Sequence, residues 1–306
     1  MRLPAKNRHS LNRKQTIWAY VFLAPSLLFF AVFVIYPTIR SFQYSLFDWP
    51  LGVPQKTFVG LENYRRLLTD DPVFMTSVWN TVRFTVGTTV PTLVIALLLA
   101  MALNHPQLKL RGLFRTVYFL PFVLSLVAVG FVWRWMLEPT FGPVNAVFRI
   151  FGIQGPGWLA SQTWALPGVM LMSIWRDTGF YMVIFLAGLQ TIPSAFHEAA
   201  MIDGASAWHR FWKVTLPLLN PTIVFASVIA VINGLQLYTA VYVMTGKSGI
   251  YGGPLNSTRS VVLQIVETAF RSLNMGYASA AVFLLFLAIL GLSLLQIRIL
   301  DRPFEY

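Results

Sequence analysis

The chain has 306 residues, of which 56% are hydrophobic, 15% aromatic and only 11% charged. Soluble globular domains carry about 25% charged residues, so this composition excludes an ordinary soluble protein and indicates a chain that folds in a lipid bilayer. The formal net charge is +12, and the complete lack of cysteine excludes disulfide bonds and thiolate metal sites.

Six apolar runs are each long enough to cross a bilayer as a helix, which needs about 20 residues to cover about 30 Å of hydrocarbon. In chain order they are Ile17–Ile39, Val78–Leu103, Leu113–Met136, Thr163–Leu189, Leu218–Met244 and Ala278–Ile297. The first run is too long for the core of a signal peptide and lacks a small-residue cleavage pattern, so we expect it to be retained. We predict an all-α membrane protein with six transmembrane helices.

The Lys and Arg residues are distributed unevenly among the loops. With a cytoplasmic N-terminus, the inner segments hold 12 Lys and Arg in 65 residues, against 8 in the 96 residues of the outer segments. This bias is the positive-inside pattern, so the basic residues orient the chain and do not indicate nucleic-acid binding. We predict cytoplasmic tails at 1–16 and 298–306, a membrane domain at 17–297, and inner loops at 104–115 and 190–217.

Two short helices are expected outside the spans, an amphipathic one in "VGLENYRRLL" and a second one in "VVLQIVETAFRS". Two arginines close to span ends, Arg83 and Arg134, are expected to extend toward the membrane surface.

Motifs for covalent chemistry are absent. "TGKS" at 245–248 resembles the end of a phosphate-binding loop, but that loop needs a glycine at position 241, which is valine. The four histidines show no metal-ligand spacing, and no nucleophile lies in sequence beside a base. We therefore expect no enzyme activity, no metal and no bound cofactor, so the energy for any uphill transport must come from another protein or from an ion gradient.

The fourth span, "TWALPGVMLMSIWRDTGFYMVIFLAGL", carries Arg176 and Asp177 near its middle. A charged residue there costs about 2.5–3.5 kcal/mol on insertion scales, so such residues usually serve a function. Neighbouring residues point about 100° apart on a helix, and neither residue has an opposite charge one turn away. We expect each of them to need a partner or water from another helix.

Further polar side chains extend this pattern. Tyr181 lies on the same side of the fourth span, and the fifth span contributes Asn233, Gln236 and Tyr238. Aromatic rings beside amides and charges suit a solute rich in hydroxyl groups, so we predict a translocation path along these residues. The alternative is that they only form hydrogen bonds that hold the helices together.

The predicted inner loop "IPSAFHEAAMIDGASAWHRFWKVTLP" reads as a hairpin of two short helices. Ser194 can cap the first helix, Gly204 can end it without steric strain, and Ser206 can cap the second. Small alanines beside the apolar Met201 and Ile202 are typical of a surface that docks closely against another protein.

This stretch resembles the EAA loop of ABC importer permeases. That pattern is Glu-Ala-Ala, three residues, Gly, nine residues, a β-branched aliphatic residue, one residue and Leu-Pro. It matches here at 198–200, Gly204, Val214 and Leu216-Pro217, with valine where isoleucine is commoner. The resemblance implies a coupling helix that sits in a groove of the ATP-hydrolysing subunit, formed by Glu198, Ala199, Ala200, Met201, Ile202, Asp203 and Gly204.

Other segments, among them "RTVYFLPFVLS", "GGPLNST" and "MGYASAAVFLL", are similar to the carbohydrate-uptake branch of these permeases, the maltose and glycerol-phosphate type. The resemblance implies the type I importer architecture in a bacterial or archaeal cell membrane and a sugar or sugar derivative as solute. The implied partners are a second permease subunit, two ATPase subunits that bind the ATP, an extracytoplasmic solute-binding protein and membrane lipid. The alternative is an ion-driven secondary transporter in which Arg176 and Asp177 couple the ion; it predicts inverted internal repeats, which are not evident.

Overall fold

The computed structural model describes residues 13–300 except 51, 54, 106 and 247–250. Most of the two predicted tails, 1–16 and 298–306, therefore lies outside the described residues. The described residues form fourteen α-helices and one short antiparallel pair of strands, β1 (Phe47–Asp48) and β2 (Thr57–Phe58). The helices are α1 (Arg13–Phe30), α2 (Tyr36–Ser45), α3 (Glu62–Thr69), α4 (Pro72–Asn104), α5 (Arg111–Val123), α6 (Leu126–Met136), α7 (Pro143–Ile150), α8 (Ala165–Gln190), α9 (Ser194–Ile202), α10 (Ala207–Arg210), α11 (Leu216–Leu235), α12 (Thr239–Thr245), α13 (Val261–Phe270) and α14 (Met275–Leu300).

Five helical stretches of the described chain are long and apolar enough to cross a membrane: Gln15–Ser45, Pro72–Asn104, Ala165–Gln190, Ala207–Leu235 and Met275–Leu300. The first joins α1 to α2 through a π-helical segment, and the fourth joins α10 to α11 in the same way. The third predicted span is the pair α5 and α6, so six spans are present if this pair counts as one. The all-α, multi-span architecture is confirmed.

Two of the predicted spans are interrupted. The prediction of an unbroken helix over Leu113–Met136 is wrong, because α5 and α6 meet at 94° around an extended Leu124 (φ −67°, ψ 149°). The prediction of a single helix over Leu218–Met244, the fifth span, is also wrong, because α11 ends at Leu235 and α12 begins at Thr239. Pro121 removes a backbone hydrogen bond one turn before the first break.

Close contacts between helix backbones position the core around α4, α8 and α11. Alanines of α4 such as Ala96 and Ala100 are fully buried beside Met182 of α8, because small side chains let membrane helices approach. A Cβ atom on Gly179 would lie 1.9 Å from the Tyr118 carbonyl oxygen, so α5 crosses α8 backbone against backbone.

The remaining long helices form the periphery. α14 packs against α2, α13 and α11, and the expected short helices are confirmed as α3 and α13. In the most apolar part of the stretch Gln15–Ser45, no residue is buried against the rest of the chain. Phe22, for example, is 78% exposed. This helix therefore lies along the outside of the described chain.

Candidate functional site

A central cavity of about 310 Å³ lies between α5, α6, α8 and the break that joins α11 to α12. All six side chains predicted to form the translocation path contribute to its wall. They are Arg176, Asp177, Tyr181, Asn233, Gln236 and Tyr238. The structure therefore brings together, at one place in the bundle, residues that the sequence separates by as many as 62 positions.

The two charges inside the fourth span form an ion pair with each other. Arg176 Nη1 donates to Asp177 Oδ1 at 2.6 Å, and the guanidinium also lies 5.0 Å from the ring centre of Phe122. The expectation that adjacent residues do not meet, so that each would need a partner or water from another helix, is wrong, because the long arginine side chain reaches its neighbour despite the angle between them. Arg176 Nε is buried and has no hydrogen-bond partner within the described chain.

An amide and a phenol connect the fourth and fifth spans across the cavity. Asn233 Nδ2 donates to the Tyr181 hydroxyl at 3.5 Å, and Tyr181 itself is buried. The alternative that these residues form hydrogen bonds between helices therefore holds for this pair. It does not exclude a place in the translocation path, because both side chains also line the cavity.

A threonine group on α4 was missed by the sequence reasoning. Thr88, Thr89 and Thr92 line a smaller cavity of about 50 Å³ that also contacts Asp177 and Asn233. Thr89 Oγ1 is buried without a partner among the described residues. The signal was available in "GTTVPT", where hydroxyl side chains cluster around a proline inside a span, but threonine is common in membrane helices and its hydroxyl usually bonds within its own helix.

Both broken spans have their breaks at the central cavity. Phe122 and Leu126 flank the α5–α6 bend, and Gln236 and Tyr238 lie in the irregular link before α12. Irregular backbone at membrane depth is tolerated where it is enclosed by protein or lines a water-filled space. In transporters such interruptions place unwound backbone groups at the solute site, so this geometry is suited to binding a polar solute.

The predicted hairpin is present as α9, a turn and α10. Gly204 has φ +77°, Ala205 N donates to Ala200 O at 2.9 Å, and Gly204 N donates to Met201 O at 3.0 Å. These bonds form a Schellman motif, which needs a left-handed residue that glycine adopts without strain. Ser206 caps α10 by accepting from His209 N, as predicted, whereas Ser194 is itself the first helical residue and gives no side-chain cap.

The outer surface of this hairpin is open to its surroundings. Ile202 is 87% exposed and Met201 52% exposed, and a Cβ atom on Gly204 would have nothing within 4 Å. Glu198, Ala199 and Asp203 are also exposed, while Ala200 is half-buried. Exposed apolar side chains at a well-defined turn, with small residues beside them, are typical of helical segments that bind in a groove of another protein.

Arg134, which was expected to extend toward the membrane surface, instead bonds to the backbone of another helix. Its Nη1 donates to Gly246 O at 2.9 Å and to Val243 O at 3.4 Å, which fastens α6 to the end of α12. Among the described residues, no group of three or more His, Asp or Glu side chains could hold a metal ion.

Comparison with known proteins decides the family. The sequence pattern of the family described as "Binding-protein-dependent transport system inner membrane component" matches residues 82–304, a stretch that contains both the cavity and the hairpin. The chain belongs to this permease family. Its resemblance to ABC importer permeases is thereby confirmed, and it is a multi-pass membrane subunit and not an enzyme.

Relatives of this permease cover nearly its whole length. It is 39% identical over 293 residues to the lactose transport system permease protein LacF of Rhizobium radiobacter, which covers 95% of this chain and 96% of that protein. It is 35% identical to the sulfoquinovosyl glycerol transport system permease protein SmoG of Agrobacterium fabrum, covering 92% and 90% of the two chains.

The same fold occurs in a solved structure. A chain in the crystal structure of a bacterial alginate ABC transporter, in complex with an alginate pentasaccharide-bound periplasmic protein, superposes with a TM-score of 0.79 at 21% identity. The match covers 93% of this permease and 94% of that chain. At this identity the likeness establishes the fold, which is that of an ABC importer permease.

Proposed function

We propose that this permease carries a sugar or sugar derivative across the cell membrane as one of two transmembrane subunits of an ATP-driven importer. The observation that carries the proposal is the central cavity, which combines aromatic rings, two amides and an ion pair around about 310 Å³. Relatives named for lactose and sulfoquinovosyl glycerol transport support a glycan-like solute. Hydroxyl-rich solutes are bound by such mixtures of ring faces and hydrogen-bonding groups.

In this proposal each of the six cavity residues makes a particular kind of contact with the solute. Asn233 and Gln236 supply amide donors and acceptors to hydroxyl groups, and Tyr181 and Tyr238 supply ring surface and phenol groups. Arg176 and Asp177 add charge-assisted hydrogen bonds, which are about twice as strong as neutral ones.

The hairpin is proposed to couple transport to ATP hydrolysis. Its exposed tip at 198–204 would dock in a groove of the ATPase subunit, with Met201 and Ile202 buried in the contact. Movement of that subunit would then be passed to the bundle and would switch the cavity between the two sides of the membrane. This chain binds no ATP itself; ATP belongs to the partner subunits.

The assembly we propose contains a second, similar permease subunit, two ATPase subunits and an extracytoplasmic solute-binding protein. Both termini face the cytoplasm, with tails at 1–16 and 298–306 around the membrane domain at 17–297. The excess of Lys and Arg in the inner segments supports this orientation.

The proposal is tested by purifying the tagged chain from its native membrane in mild detergent and identifying co-purifying proteins by mass spectrometry. An ATPase, a second multi-span subunit and a solute-binding protein are expected. The complex is then reconstituted in liposomes and assayed for uptake of radiolabelled lactose and maltose. ATP-dependent uptake supports the proposal, whereas uptake by the chain alone that an uncoupler abolishes would establish the ion-driven alternative.

A further inference from the structure

A second open space, which we name the outer cavity, adjoins the central cavity on the side of α12. It has a volume of about 510 Å³, and Val127 and Phe131 of α6 form one of its walls. Tyr238 and Thr239 line both this space and the central cavity. A solute that leaves one cavity past these two residues therefore enters the other directly.

A row of three tyrosines, Tyr238, Tyr242 and Tyr251, also lines the outer cavity. Tyr238 and Tyr242 lie one helical turn apart, with ring centres 5.4 Å from each other. Tyr251 stacks on Tyr242 at 4.3 Å and 9°, and the two hydroxyl groups are 3.2 Å apart. Arg271 from the chain after α13 lies 5.1 Å from the Tyr251 ring centre and braces the row at its far end.

Arg134 supplies a cation to the same space. Its Nη1 is held by the carbonyl oxygens of Val243 and Gly246, which fixes the direction of the planar guanidinium. The other nitrogens of Arg134 make no hydrogen bond within the described part of the chain and remain available to a solute. Phe131 is 57% exposed and Tyr242 37% exposed, so aromatic surface faces the cavity as well.

These groups match the chemistry of a saccharide. A pyranose ring presents patches of C–H groups, which pack on aromatic surfaces, and a rim of hydroxyl groups, which accept from guanidinium and exchange hydrogen bonds with phenols. The size of the cavity lies within the usual range for small-molecule sites. A pocket walled by Phe131, Tyr242 and Arg134 satisfies both parts of such a ligand.

We propose that the outer cavity is a second sugar subsite, which receives the solute from the extracytoplasmic side and passes it at Tyr238 to the central cavity. This inference rests on the proposed function, because the solute class and the orientation come from there. It assigns to Tyr242, Tyr251 and Arg134 a role in binding the solute on its way through the membrane.

The absence of cysteine from the chain allows a direct test with single-cysteine variants. Val127→Cys places a thiol in the wall of the outer cavity, and Val132→Cys, on the same helix and similarly exposed, lies outside it. Each variant is assembled into the full reconstituted importer and labelled on this chain with a maleimide. The probe is lactose, or maltose where only maltose is imported.

The expected result is protection of Val127→Cys alone. At a sugar concentration about ten times the dissociation constant, labelling slows about 10-fold, because only the unoccupied fraction reacts. Val132→Cys is labelled at the same rate with and without sugar. Equal rates for Val127→Cys in an importer that takes up the sugar would overturn the subsite but not the proposed function; failure of the unmodified importer to take up either sugar overturns both.

Kinetics of uptake provide a second test. Tyr242→Ala is expected to raise KM for sugar uptake about 10-fold with little change in the maximal rate, since the lost contact binds the solute before the rate-limiting step. Tyr20→Ala, on the exposed face of α1, is the matched control and leaves KM unchanged. A purely structural row of tyrosines would instead lower the maximal rate and the ATPase activity together, and that outcome would contradict the subsite.

Discussion

Arg176 and Asp177 place two charges inside a membrane-spanning helix. Each charge alone would cost about 2.5–3.5 kcal/mol at the centre of a spanning helix, and their contact at 2.6 Å offsets part of that cost. Removing one partner leaves the other charge uncompensated in a partly buried site, which is more harmful than removing both. The pair is therefore best probed by comparing single with double substitutions.

Asp177→Asn is expected to reduce sugar uptake at least about 10-fold and to lower the amount of assembled importer, because the Arg176 guanidinium loses its counter-ion. Arg176→Gln combined with Asp177→Asn restores assembly but not uptake, since the cavity then lacks its charged donors and acceptors. Uptake in liposomes and complex yield by gel filtration measure the two effects. Normal uptake by the double variant would show that the pair only stabilises the bundle.

Glu62 lies at the start of α3, outside the membrane spans, where it forms ion pairs with two arginines of the same helix. Hydrogen bonds from Arg65 and Arg66, at 2.7 and 3.1 Å, lower its pKa to about 2. The folded pKa lies below the unfolded one, so the contribution of Glu62 to stability is fully present above pH 4.5 and is lost only as the pH falls through about 2. At pH 4 we expect Glu62 to be ionised. An infrared difference spectrum between the unmodified protein and Glu62→Gln, both labelled with ¹³C-glutamate, measures this: a carboxylate band confirms it and a protonated carboxyl band contradicts it.

At the scale of elements, hydrophobic length predicted where the spans lie but not where they break. The segment "FVLSLVAV" stays apolar through its break, and the isolated polar residues of "NGLQLYTA" do not end the apolar run around them, so hydropathy averaged along the chain does not register Leu124 or the link before α12. The cavity residues were predicted because polar side chains inside apolar runs are conspicuous. The threonines of α4 and the Arg176–Asp177 contact were missed because they depend on neighbouring helices and on side-chain reach, which sequence spacing does not encode.

The hairpin makes a prediction that belongs to this scale. Gly204→Asp places a charged side chain at a left-handed position on the docking tip and is expected to abolish uptake while the subunit remains in the membrane. Gly152→Asp is the matched control, because Gly152 also has positive φ (+69°) and open space around it but lies outside the hairpin. Uptake and membrane content of both variants are measured together. Normal uptake by Gly204→Asp would refute the docking role.

At the scale of the whole molecule, the number of spans determines which side of the membrane each loop faces. The hairpin at 190–217 and the segment between α6 and α8 emerge at opposite ends of the bundle if the six-span topology holds, with the α5–α6 pair counted as one span. Met201→Cys and Phe151→Cys, both at exposed positions, should therefore react with an impermeant maleimide from opposite sides. In a strain that lacks the ATPase subunits, so that the hairpin is not covered, intact cells label only Phe151→Cys and inverted vesicles label only Met201→Cys. Labelling of both from one side would overturn the proposed topology.

The unbroken helical stretch Ala207–Leu235 has a mechanical consequence. It starts in the second arm of the hairpin and ends at the link that carries Gln236 and Tyr238 into the cavity wall. At 1.5 Å per residue, its 29 residues make a rod about 43 Å long. Tilting such a rod by about 5° around one end displaces the other end by nearly 4 Å, more than the length of a hydrogen bond. In the proposed assembly, a small turn of the ATPase beneath the hairpin would therefore be enough, by leverage alone, to pull the amide of Gln236 away from a bound hydroxyl group and release the solute.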